Sequence, residues 1–91
     1  MNSEQRLAEI RTRLESALQP ESLQIEDEGY KHVGHEGARD GRGHFHVVVV
    51  SQHFSGKSPI QRHRLIYQAM DSLMQSDIHA LSIDAYSPDE L

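Results

Sequence analysis

Leu7, Ile10, Leu14 and Leu18 recur at three- and four-residue steps, the spacing that gathers apolar side chains on one face of a helix. Asn2 and Gln5 stand ahead of them at capping-box spacing, so the pattern predicts an amphipathic helix over Ser3 to Leu18, ended by Pro20. The period then changes. From Ser22 to Asp27, Leu23 and Ile25 alternate with Gln24 and Glu26, as a half-exposed strand requires. Glu28 to Gly43 holds five of the six glycines and no sustained apolar period, which predicts a long mobile loop. Phe45 to Ser51, an aromatic followed by four valines, reads as a central strand buried on both faces. After a turn, Ser58, Pro59 and Gln61 supply an N-cap, an N1 proline and a capping-box partner. Ile66, Ala69, Met70 and Leu73 continue with helical spacing, so a second helix is expected to run to about Gln75. Finally Leu81, Ile83 and Ala85 alternate within Ile78 to Tyr86, a third strand stopped by Ser87 and Pro88.

The predicted order is helix, strand, strand, helix, strand. A small sheet needs one face covered and two helices are available, so the expected fold class is α+β, a two-layer sandwich, with residues 1–91 forming one domain. A chain of 91 residues buries only about 60–65% of its unfolded surface, which leaves little room for a deep substrate pocket.

Charge changes the choice of partner. Nine Lys and Arg against fourteen Asp and Glu give a net charge of −5, which opposes a nucleic-acid backbone at long range. Cysteine is absent, so any thiolate must come from a partner, and a reducing, cytoplasmic setting is expected. The longest apolar run is Val47 to Val50, so neither a signal peptide nor a membrane span is expected. Seven histidines are the unusual feature, because imidazole is both a common metal ligand and the group that titrates near neutral pH.

Several motifs have plainer explanations. Gly56, Lys57 and Ser58 mimic the end of a phosphate-binding loop, but Ser51 occupies the position where that loop needs its first glycine, so helix capping is the better reading. Gly34, His35, Glu36 and Gly37 spell the G-x-x-G of KH nucleic-acid domains, yet here the motif joins strands rather than helices and carries an acid. Lys57, Arg62 and Arg64, near His53, give the second helix a positive opening that favours partner binding, since the helix dipole itself prefers acids there. His63 precedes Ile66 by three and Met70 by seven and is expected to pack structurally against the core. His44 and His46 alternate with Phe45 and are expected on the surface; their i, i+2 spacing permits zinc chelation but is weak evidence for it. His79 shares the phase of Leu81 and Ile83, which by itself reads as a partly buried strand residue. No set of nucleophile, base and acid is positioned by a motif, so a non-enzymatic protein that docks onto another protein is expected.

The segments Gly43-His44-Phe45-His46-Val47-Val48-Val49-Val50-Ser51, Phe54-Ser55-Gly56-Lys57-Ser58, Gln61-Arg62-His63-Arg64-Leu65-Ile66-Tyr67 and Ile78-His79-Ala80-Leu81-Ser82-Ile83 together resemble the BolA family. The resemblance extends from the first helix to the last strand. It implies a fold similar to class II KH domains and a monothiol glutaredoxin as partner. It also implies a bridging 2Fe-2S cluster held by the glutaredoxin cysteine, glutathione and histidines of the BolA-like protein. Those histidines correspond to His32 in the loop, with His35 as its near neighbour, and to His79 before the last strand. Replacing thiolates by imidazoles raises a cluster's potential and makes ligation sensitive to protons, which suits trafficking or iron and redox sensing. The protein alone is expected to be a monomer that holds no stable cluster. The family's other proposed role, a DNA-binding transcriptional regulator, is the alternative; the charge balance and the run Glu26-Asp27-Glu28 allow only weak nucleic-acid binding.

Overall fold

A computed structural model describes residues 1–29 and 42–91. Helix α1 covers Ser3–Leu18, and its start is fixed by the expected capping box: the Asn2 side chain accepts from the Gln5 N–H at 2.8 Å while Gln5 Oε1 accepts from the Asn2 N–H at 2.9 Å. Such reciprocal capping satisfies two donors that a helix end otherwise leaves bare, and one cap is worth about 1 kcal/mol. Strand β1, Ser22–Asp27, and strand β2, Gly43–Val50, pair antiparallel, with Ile25 opposite Val47 and Glu26 opposite His46. Strand β3, Ile78–Tyr86, joins the other side of β2 in parallel, so β2 is central in the order β1-β2-β3.

Between β2 and β3 the chain makes a short 3-10 turn at Gln52–Phe54 and then helix α2, Pro59–Met70. Gly56, at φ 74°, supplies the left-handed residue that the connection needs. Ser58 and Gln61 form the second capping box, which accounts for the apparent phosphate-loop motif. The second helix does not continue to Gln75. Asp71 adopts φ 50° and ends α2, and a separate four-residue helix, α3, follows at Leu73–Ser76. Asp and Ser compete with the helix by favouring caps and turns. The Met70 carbonyl near this end is taken by Arg13 Nη1 of α1 at 2.5 Å. Leu73 nevertheless enters the core, as its spacing predicts.

Both long helices lie on one face of the sheet, and the two-layer α+β arrangement is as expected. Ile10, Leu14 and Leu18 of α1, Ile66 and Met70 of α2, and Phe45, Val47 and Val49 of β2 form the core with Phe54, Leu73 and Ile78. The opposite face is only partly covered, for His46 and Val48 are half-buried. Val47 and Val49 fill the packed face, while on the other face Val50 is buried and Val48 half-buried, so the expected burial on both faces holds at the C-terminal end of β2 and is partial before it. Ser51 closes the far end of β2, donating its hydroxyl to the Leu18 carbonyl at 2.6 Å and so tying the end of α1 to the sheet.

Candidate functional site

Two histidines, His44 and His79, meet where β2 and β3 begin. Their placement follows from an irregularity between Gly43 and His44, where the parallel register slips: Gly43 pairs with Ile78, but His44 pairs with Ala80. Without the slip, His79 would share the inward phase of Leu81 and Ile83. With it, Ile78 takes the core position at 1% exposure and His79 turns outward. The plainer sequence reading of His79 as a partly buried strand residue is thus corrected, because a bulge reverses side-chain phase on one side of it. Glycine is required at the slip. A Cβ on Gly43 would lie 2.7 Å from Cζ of the Phe45 ring, which is itself buried in the core. The Gly43 N–H donates to the Asp77 carbonyl at 2.8 Å, and Arg6 Nε of α1 donates to the Asp77 carboxylate at 3.2 Å. The Ser76 hydroxyl, with Arg6 adding to it against the opposing effect of burial, holds that carboxyl below its usual range.

The same slip brings His44 beside His79. Their ring centroids are 5.0 Å apart, with planes tilted by 45°. His44 is 8% exposed, which corrects its expected surface placement, and both of its ring nitrogens are shielded from solvent. His79 is the exposed member of the pair. Arg42 Nη2 lies 3.2 Å from His79 Nδ1, and Arg42 Nη1 donates to the Gln75 carbonyl at 3.4 Å. A guanidinium only donates, so Nδ1 of His79 is the acceptor and the neutral ring carries its proton on Nε2. A metal at Nδ1 would take the place of Arg42, and a metal at Nε2 would require the proton to sit on Nδ1, where it would again displace Arg42. Ligation at His79 and the Arg42 contact are therefore mutually exclusive.

The other predicted residues are placed elsewhere. His32 and His35 lie outside the described residues, as does the G-x-x-G run. Lys57, just ahead of the Ser58 N-cap, and Arg64, in the opening turns of α2, present an exposed basic surface. Arg62 is not part of that surface. It is 8% exposed, donates to the Lys57 carbonyl at 2.9 Å and the Ala85 carbonyl at 3.1 Å, and grips Glu90 through two hydrogen bonds of 2.6 and 3.0 Å. The inward stripe of α2 is thus Arg62, Ile66 and Met70, and His63 stands half-buried at its edge rather than in the core. The Arg62 guanidinium holds the Glu90 carboxyl well below its ordinary value, at about 2. On the uncovered face of the sheet, His46 Nε2 pairs with Asp84 Oδ2 at 2.7 Å.

A BolA-like protein family model matches residues 14–90. The chain belongs to the BolA family. SufE-like protein 1, chloroplastic/mitochondrial, of Arabidopsis thaliana is 45% identical over 87 residues, covering 90% of this chain and 24% of that protein. The DNA-binding transcriptional regulator BolA of Escherichia coli is 36% identical over 78 residues, covering 86% of this chain and 71% of that one. Among solved structures, the BolA domain of SufE1 from Arabidopsis thaliana superposes with a TM-score of 0.85 at 43% identity, covering 100% of this chain and 99% of that one. The chain spans 24% and 56% of the length of the first two curated relatives it matches. Among the described residues, no helix is long and apolar enough to cross a membrane.

Sequence reasoning set His44 aside as a surface residue and did not pair it with His79. The signal that finds it is the glycine just before it: Gly43 sits inside a strand pattern, and a glycine there often marks a bulge that re-aims its neighbours.

Proposed function

We propose that this BolA-family protein is a non-enzymatic, cytoplasmic partner of a monothiol glutaredoxin. In this reading the two proteins share a bridging 2Fe-2S cluster as cargo, for iron-sulfur trafficking or iron and redox sensing. The glutaredoxin cysteine and glutathione supply the thiolates that this chain lacks, and His79 supplies an imidazole. The observation that carries the reading is the His44–His79 pair. His79 is exposed and His44 stands beside it, ring centroids 5.0 Å apart, so an imidazole reaches the surface where a second one is close by. The second histidine is then His44, or His32 or His35 from the preceding loop. Arg42 holds His79 in one orientation until a ligand replaces it, which favours exchange of cargo over permanent storage.

The test is anaerobic reconstitution with a monothiol glutaredoxin, glutathione, ferrous iron and sulfide, read by circular dichroism in the visible range. His79→Ala is expected to lose at least tenfold in cluster retention while its thermal melt stays close to wild type. A His79→Ala spectrum identical to wild type overturns the reading, and His44→Ala, His32→Ala and His35→Ala, compared side by side, identify the second ligand. A KH-like nucleic-acid-binding regulator is the competing reading, favoured by the name of the Escherichia coli relative. The net charge of −5 and the internal engagement of Arg62 oppose it, leaving Lys57 and Arg64 for phosphates. Sequence-selective binding tighter than the non-specific range of about 10⁻⁴ to 10⁻⁶ M at physiological salt would reverse this ordering.

A further inference from the structure

The uncovered face of the sheet carries a second group of potential ligands that does not include His79. Glu26 on β1 is directly opposite His46 on β2, and Glu28 follows just past the end of β1, where its N–H donates to the His44 carbonyl at 2.7 Å. The carboxylate oxygens of Glu26 and Glu28 and a ring nitrogen of His46 all lie within 4.8 Å of one another. Asp84, reaching diagonally from β3, bonds His46 Nε2 at 2.7 Å. A cavity of about 330 Å³ opens here, lined by Gln24, Ile25, Glu26, His46 and Val48. We propose that Glu26, Glu28 and His46 form a binding site for one divalent first-row cation, with Asp84 orienting the imidazole.

Three observations support this chemistry. First, ligands on a tetrahedral metal with bonds of about 2.1 Å stand roughly 3.4 Å apart, so the group must close by about 1.4 Å. Two glutamates with three rotatable side-chain bonds each, one exposed and one half-buried, can do this without moving the sheet. Second, a carboxylate on one nitrogen of a histidine fixes the tautomer and makes the other nitrogen a better ligand, the arrangement found around metal-bound histidines. Third, two carboxylate ligands with one imidazole suit Zn²⁺, Fe²⁺ or Mn²⁺; a hard cation such as Ca²⁺ gains little from the ring, and Cu⁺ prefers sulfur. Antiparallel pairing sets the core of the site, because Glu26 and His46 are held opposite each other by the ladder itself.

The test uses MnCl₂ alone, titrated into the isotope-labelled full chain and read by paramagnetic broadening of backbone amide signals, with Zn²⁺ as competitor. Substoichiometric Mn²⁺ is expected to broaden Glu26, Glu28, His46 and Asp84 first, and Zn²⁺ to restore them. Glu26→Gln and His46→Gln are each expected to weaken this binding at least tenfold, and Asp84→Asn by about tenfold. His79→Ala is expected to leave it unchanged, which separates this site from the cluster reading. Thermal melts confirm that each variant is folded; Glu26 is exposed, so its variant keeps the test decisive even if His46→Gln loosens the sheet. Broadening that begins at His32, His35, His44 or His79 and spares the four residues, or that survives Glu26→Gln, overturns the proposal.

Discussion

The two ends of β2 handle polarity in opposite ways. At its C-terminal end the buried polar residues are engaged within the fold: Ser51 with the Leu18 carbonyl, Arg62 with two carbonyls and Glu90, and the Ser87 N–H with Glu90 at 2.8 Å. These contacts tie α1, α2 and the final 3-10 turn, Pro88–Glu90, to the sheet. At its N-terminal end the register slips, a glycine sits under an aromatic ring, and two imidazoles meet beside an arginine that a ligand would displace. One end uses strong donors and acceptors to lock the structure. The other keeps groups whose bonding can change.

The sharpest way to break this contrast is to regularise the irregular end. Gly43→Ala puts a methyl group into the Phe45 ring, and overpacking of this kind is expected to cost about 1–3 kcal/mol in chemical denaturation. It is also expected to move the His44 and His79 ring resonances. Unchanged resonances would show that the pair does not depend on the slip.

At the locked end, Arg62→Ala is expected to lower the melting temperature clearly, while Arg64→Ala leaves it almost unchanged, although the two arginines are two residues apart on one helix. Equal shifts for the two would place Arg62 on the partner surface after all. Acid offers a gentler probe. Glu90 has a folded value of about 2 against an ordinary 4.5, so its pairing with Arg62 stabilises the fold above about pH 4.5 and is lost as pH falls toward 2. Melts recorded across that window are expected to decline, and Glu90→Gln is expected to flatten the part of the decline that this pair causes. Asp77, also held low, keeps the remainder. His63→Ala is expected to have the smallest effect, under about 1 kcal/mol, because its ring is half-buried at the edge of α2. A loss of 3 kcal/mol would restore the core-facing role that its spacing predicted.

Local pattern alone settled the long helix, the presence of three strands and both capping boxes, because each depends on neighbours within a few residues, although β2 runs Gly43–Val50 rather than Phe45 to Ser51. Ser3–Leu18, Ser22–Asp27 and Ile78–Tyr86 are bounded as their periodicity predicts. Sequence also pointed to the BolA family through motifs spread along the chain, and to His79 through that resemblance. Tertiary structure decided the rest. Helical spacing cannot say which side of a charged helix turns inward, and α2 buries Arg62 rather than His63 because Glu90 and two carbonyls wait there, 28 residues away in the case of Glu90. Strand alternation cannot foresee a register slip, since that depends on how Gly43 meets Ile78 and Asp77 across the sheet. For the same reason His44 and His79 read in sequence as a surface residue and a half-buried one. Only the fold makes them a pair, because the contact between them joins positions 35 residues apart and no local pattern encodes it.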